Sequence, residues 1–364
     1  MLPHDDLIMK YKTPFALTAL ATSGLLAFAL PADEVTFAPS EGTSITKTFT
    51  SESVFALDDM EMTMGGQSPP GMPEMEMEMT LESSIQVTDE YASVDGGQVL
   101  ELVRSFDTVG QEMSMEMSLE VAGESHPQDG SGSGSSSLEG TAVRFTWDAD
   151  DEAYVPAFEG DDGDEDLLEG LVEDMDLRTL LPDGPVSEGD EWDVELVALA
   201  DILAPGGNLA VDVEMDGQAG LGGGPDPQMI SNMRELLADL LEGDFTATYQ
   251  GTKEVDGITV GVIALAVEIE SARDMSEMME EGMSESEMPF EVELTRADAE
   301  FTFEGEGTML WNLAGGHIHS FDLSGDTSIA MDMAMAIPGQ GIEMETSMEM
   351  SGTMTQTVRT EGTN

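Results

Sequence analysis

The chain contains no cysteine. Disulfides, catalytic thiols and cysteine metal sites are therefore excluded. A lipid-modified amino terminus, which needs a cysteine at the cleavage site, is excluded with them. Positive charge is almost as scarce: 11 Lys and Arg stand against 76 Asp and Glu, a formal net charge of −65 over 364 residues. A surface of that sign repels nucleic acid and anionic membranes, and attracts cations and basic partners. Catalytic signatures are missing too. There is no Gly-x-Ser-x-Gly elbow, no His-Glu-x-x-His, no phosphate loop with its lysine and no dinucleotide fingerprint. Paired carboxylates could serve a glycosidase, but in so acidic a chain any pair is uninformative. An unrecognised hydrolase remains the least supported of three functional readings.

Long apolar runs are confined to the amino terminus. Lys10 and Lys12 precede the uncharged stretch Phe15–Leu30, and small residues at Ala27, Ala29 and Ala32 offer cleavage points before the acidic chain begins at Asp33. This is the layout of a cleaved signal peptide over residues 1–32. The run is shorter than the roughly 20 residues that span a bilayer. The expectation is an exported protein, periplasmic or extracellular, cleaved near Ala29 or Ala32, with Met9 as natural a start as Met1. No later segment is long and apolar enough for a transmembrane helix. Removing residues 1–32 takes away two acids and two bases, so the mature chain keeps 74 acids and 9 bases and stays at −65. Self-repulsion at low salt should be severe, and saline surroundings or divalent counterions should relieve it.

What the chain has in abundance is methionine, 29 residues. Many occur in strict alternation with acidic or hydroxyl residues. Met75, Met77 and Met79 enclose Glu76 and Glu78; Met113, Met115 and Met117, then Met331, Met333 and Met335, repeat the rhythm, as do Met60–Met64 and Met348–Met350. A period of two belongs to a β-strand. Each run reads as a strand with a methionine face and an acidic or hydroxyl face. Leu81, Leu119 and Val121 continue the methionine face and mark it as interior. Methionine is flexible and polarizable, so a methionine-lined interior suits an apolar ligand such as a lipid. The same thioethers are soft ligands for Cu(I) or Ag(I).

Two further metal readings arise. Asp161, Asp162 and Asp164 belong to an acidic run suited to low-affinity Ca2+, although the spacing is not that of an EF-hand loop. His317 and His319 flank Ile318 and would share one face of a strand, a two-point metal site; as the end of a hairpin after Gly315-Gly316 the pair would instead meet solvent.

The chain predicts a mainly β protein: a long, strongly curved antiparallel sheet, half-barrel or barrel, or two related halves. Residues 33–129 form a first β-rich segment. Residues 130–140, rich in Gly and Ser, read as a linker loop. Residues 141–243 carry strands and two amphipathic helices, and 244–364 form an antiparallel meander broken at its glycines. The first helix follows Asp161–Asp166, with Leu167, Leu168, Leu171, Val172 and Met175 on one side. The second runs from Pro227 to Leu241, capped by Asp226 and ended by Gly243. Both would pack on, or plug, the apolar face. Ile258–Ile269 is nearly all apolar and reads as a strand covered on both faces.

Pro185-Val186-Ser187-Glu188-Gly189-Asp190-Glu191-Trp192 resembles a step found in uncharacterised exported bacterial β-rich proteins with methionine-rich alternating strands. That resemblance implies no activity and assigns no functional residue. The reading that follows is an exported, acidic, non-enzymatic β-protein with a methionine-lined interior, in a structural or lipid-binding role. Soft-metal or weak Ca2+ binding is the alternative.

Overall fold

The computed structural model describes residues 32–67, 74–121, 124–160, 163–216, 241–276, 293–337 and 342–363. They belong to one compact unit, Ala32–Asn364. Thirteen strands form a single antiparallel sheet: β1 (Ser44–Met64), β2 (Glu74–Asp95), β3 (Gln98–Val121), β4 (Glu124–Ser136), β5 (Ala142–Asp148), β6 (Ala153–Phe158), β7 (Glu191–Asp193), β8 (Val211–Asp216), β9 (Gly243–Val255), β10 (Ile258–Asp274), β11 (Glu293–Asn312), β12 (His317–Ile337) and β13 (Ile342–Thr363). The order is β6-β5-β3-β2-β1-β13-β12-β11-β10-β9-β7, with β4 paired to β3 and β8 to β4. The sheet is open, not closed into a barrel. Amino-terminal strands fill one side and carboxy-terminal strands the other. Pairing of β1 with β13, Ser44 opposite Thr363, joins them.

Alternating burial gives the sheet one core face. Ile45, Lys47 and Phe49 on β1 are buried, as are Ile85, Val87, Asp89 and Tyr91 on β2. Strands this long keep one face only by inserting single residues, because a one-residue slip turns every later side chain over. On β3 the register against β2 shifts around Asp107. Even-numbered Leu102, Arg104 and Phe106 thereby share a face with odd-numbered Val109, Met113, Met115 and Met117. Asp58 does the same on β1, between Leu57 and Met60, and His319 on β12, between Ile318 and Phe321.

A layer of irregular chain covers one end of this face. It comprises residues 33–40, 163–190 and 194–210, including the helix α1 (Ala198–Leu203). Asp33 and Val186 exchange backbone hydrogen bonds, and the Trp311 indole donates to the Thr36 carbonyl at 3.1 Å. Val35, Met175, Leu177, Leu180, Leu199, Ile202 and Leu209 of the layer are buried against the strands.

Several expectations are corrected. The Gly/Ser run is not a linker. Residues 130–136 lie in β4, where Gly130, Gly132 and Gly134 sit opposite Met115, Met113 and Gln111. A Cβ on Gly134 would press on the Val211 and Val213 side chains of β8. The first predicted helix is only a 3₁₀ turn, Glu165–Leu168. Beyond it Leu171 bridges to Gly207, and Gly170 adopts φ +77°. Its apolar residues are instead spread along the covering layer. The second predicted helix lies, but for Leu241, outside the described residues. β10 is buried on one face for most of its length, since Ala266 and Glu268 are exposed while Leu265 and Val267 are buried. The meander is not broken at its glycines: β11 and β12 run through Gly305 and Gly325, which face each other. The Phe303 ring lies over this pair, and a Cβ at Gly325 would meet that ring and the Glu304 carbonyl oxygen. Gly325→Ala is therefore expected to cost about 1–3 kcal/mol in urea unfolding, although alanine ordinarily suits a strand better than glycine.

Candidate functional site

The sheet divides at the end the layer does not cover. Pairing of β1 with β2 stops at Ala56 opposite Glu78. Beyond that point β1 continues with β13 to Met64, and β2 continues with β3 back to Glu74. Two arms result, and methionines occupy the core-side face of both. On the first arm Met79 stands opposite Met115, Met77 opposite Met117, and Leu81 opposite Met113. On the second, three strands place methionines abreast: Met60, Met348 and Met331 form one row, and Met64, Met344 and Met335 another. Met62, Thr346 and Met333 lie between them. Neighbouring strands are about 4.8 Å apart, so thioethers in one row reach one another.

These methionines are half-buried, except Met64, which is 45% exposed. The intervening Glu76, Glu78, Glu112 and Glu116 are exposed. All nine methionines expected to line a ligand site lie on the two arms, on a face that the covering layer does not reach. A separate cleft of about 590 Å³ is lined by hydroxyls and carboxylates of β1–β4 and β13, among them Thr50, Glu52, Glu82, Glu112 and Thr357.

The histidine and aspartate expectations fare differently. His317 is buried, its Nδ1–H donating to the Ile318 carbonyl at 2.7 Å and its Nε2 accepting from Asn312 at 3.1 Å. Burial lowers its pKa. Both ring nitrogens of His317 are committed to protein partners, and His319 is the inserted residue of the β12 register shift. Asp164 caps the 3₁₀ turn through the Asp166 amide; Asp161 and Asp162 lie outside the described residues. Among the described residues no group of three or more His, Asp or Glu is placed to hold a metal ion.

Sequence reasoning missed a buried ionic cluster under the covering layer. Lys47 on β1, Asp89 and Tyr91 on β2 and Arg104 on β3 are all fully buried. Lys47 Nζ donates to Asp89 Oδ2 at 2.9 Å, to Asp176 Oδ2 at 2.7 Å and to the Tyr91 hydroxyl at 3.1 Å. The Tyr91 hydroxyl donates to Asp176 Oδ2 at 2.7 Å. Arg104 grips both oxygens of Asp89, at 2.7 and 2.9 Å, and reaches the layer at the carbonyls of Val172 and Glu173. Burial opposes charge on Asp89, but Arg104 and Lys47 outweigh it and hold the carboxyl down to about 2. Burial likewise opposes charge on Lys47, and Asp176 and Asp89 outweigh it, so its pKa is raised. Arg178 extends the network to Glu173 and Asp174 and stacks over Phe37. The one signal in the sequence was economy: of so few cations, Lys47 and Arg104 stand at core-face positions of otherwise apolar strands.

The chain matches no family model. It also matches no curated protein. Among solved structures it is similar to the outer membrane protease OmpT from Escherichia coli, with 6% identity over 86% of this chain and 96% of that one and a TM-score of 0.17. It is also similar to the β-barrel secretin domain of InvG from the Salmonella SPI-1 injectisome, with 7% identity over 89% of this chain and 64% of that one and a TM-score of 0.13. Likeness this slight assigns neither a shared topology nor a shared activity to the chain.

Proposed function

We propose that this is an exported, non-enzymatic β-protein that holds a lipid or similar apolar molecule on the methionine face of its divided sheet. The registered methionines carry the reading: they form a broad, half-buried, deformable surface at the end of the sheet that the covering layer leaves open. Methionine surfaces repack around differently shaped apolar partners. The net charge of −65 disfavours anionic bilayers, which fits a carrier of single molecules better than a membrane-seated protein.

The test is native mass spectrometry of the purified full chain, followed by titration with a fluorescent fatty acid. Bound lipid or saturable probe binding is expected, with Met115→Glu and Met348→Glu together weakening it at least about tenfold, since two buried apolar contacts are worth several kcal/mol. A wild type that carries no lipid and binds no probe would sink the proposal, as would unchanged binding in the double variant.

One observation favours a second reading. Three thioethers abreast, Met60–Met348–Met331, supply a soft donor set for Cu(I). A Cu(I) titration against a competing chelator under reducing conditions decides it: affinity tighter than micromolar, lost in Met348→Leu, supports the metal reading, and weaker binding ends it.

A further inference from the structure

Lys47 and Asp176 are far apart in sequence, meet in the interior, and make an ion pair that the lipid reading does not use. Lys47 Nζ has three acceptors or partial acceptors within 3.1 Å: Asp176, Asp89 and Tyr91. Asp176 Oδ2 takes two donors, while its Oδ1 is buried with no partner. The side chains are 0% and 5% exposed. A desolvated lysine amine is a nucleophile once it gives up its proton, and near-attack geometry needs reacting atoms about 3–3.5 Å apart. A carboxylate oxygen 2.7 Å from Nζ brings the Asp176 Cγ to about that separation.

We infer that Lys47 and Asp176 condense in the folded protein, joining Nζ to Cγ in an intramolecular isopeptide bond with release of one water. The ammonium passes a proton to the carboxylate, leaving a neutral amine and a neutral acid. Nζ attacks Cγ; the Tyr91 hydroxyl, which accepts from Nζ at 3.1 Å and donates to Asp176 Oδ2 at 2.7 Å, takes the proton that the forming amide sheds and hands its own to Oδ2. The Cγ–Oδ2 bond breaks, and the three ammonium protons end as one amide N–H and one water. Charge balances as well, because one cation and one anion disappear together. No oxidant, metal or cofactor enters.

The surroundings fit the product. Its N–H keeps Asp89 Oδ2 as acceptor, 2.9 Å from Nζ. The oxygen that leaves, Oδ2, is the one that already holds both proton donors. Asp89 retains the two-point grip of Arg104, so the charge left behind stays paired. Asp89 is the poorer electrophile of the two carboxylates, since Arg104 engages both its oxygens. The bond would tie β1 to the covering layer across 129 residues, in a chain without cysteine to do so.

Peptide mapping and intact-mass measurement of the denatured full chain test this. The expected result is a protein lighter by one water, with a branched peptide joining the Lys47 and Asp176 segments and no tryptic cleavage after Lys47. Asp176→Ala should recover the full sequence mass and that cleavage. Full mass in the wild type, with the two residues in separate linear peptides, would overturn the inference; so would a lost water that maps to a cyclised Asp-Gly step. Tyr91→Phe, folded by circular dichroism, should lack the branched peptide; its retention would remove Tyr91 from the relay.

Discussion

Arg104→Met is expected to destabilise the protein by about 3–5 kcal/mol, the usual cost of deleting one partner of a buried pair. Three losses combine. Asp89 keeps a buried charge with only Lys47 beside it, and the carbonyls of Val172 and Glu173 lose their donors. The covering layer loses a tie to β3, and methionine, though it fills much of the volume, offers no hydrogen bond. The pH dependence carries the sign of the cause. Asp89 titrates near 2 in the fold and near 3.9 unfolded. Its contribution is therefore complete above about pH 4 and is lost as the pH falls toward about 2. The gap between wild type and Arg104→Met in urea should be full at pH 7 and should narrow over that acid window. Arg359→Ala is the control. Its pair with Asp322 is half exposed on both sides, and such pairs are worth about 0–1 kcal/mol. A penalty at Arg104 no greater than that at Arg359 would mean the cluster is not what holds the layer down.

Strands were legible because the chain alternates so strictly. Met75–Met79 and Met113–Met117 show their two faces without any help from tertiary structure. The methionines' opposition across strands was not legible. It depends on single inserted residues, Asp58 and Asp107, that look like any other acidic residue in a strand. Gly130–Ser136 failed for a related reason. Composition says linker, yet backbone pairing needs no side chain, and Val211 and Val213 of β8 fill the space beside Gly134. Glycine usually breaks a strand, so the sequence alone places turns at Gly305 and Gly325; Phe303 lying over them is a long-range fact. Apolar spacing at Leu167–Met175 suggested a helix, but those side chains follow an irregular path over the strands. The buried cluster needed three strands and a loop to be placed together before Lys47 and Arg104 could be told from surface cations.

Raising the salt from about 0.01 M to about 1 M is expected to raise the melting temperature by on the order of 10 °C. The solvent face of the sheet places carboxylates directly opposite one another on successive strands. Asp244, Glu268, Glu304 and Asp326 form one rung across β9, β10, β11 and β12. Glu52, Glu82 and Glu112 form another across β1, β2 and β3, and Asp274, Asp298 and Asp332 a third. All of them are exposed. Each opposed like-charged pair costs roughly 0.2–1 kcal/mol, so the rungs together weaken the fold by several kcal/mol when unscreened. The screening length is about 30 Å at 0.01 M, longer than any rung, and about 3 Å at 1 M, shorter than the distance between strands. Hydrophobic burial also gains from concentrated salt, so a second comparison isolates the charges. Glu268→Gln with Glu304→Gln removes the middle of the longest rung; it should raise the low-salt melting temperature and flatten its salt dependence, while changing little at 1 M. A wild-type melting temperature indifferent to sodium chloride would contradict this account, as would a double variant no more stable than wild type at low salt.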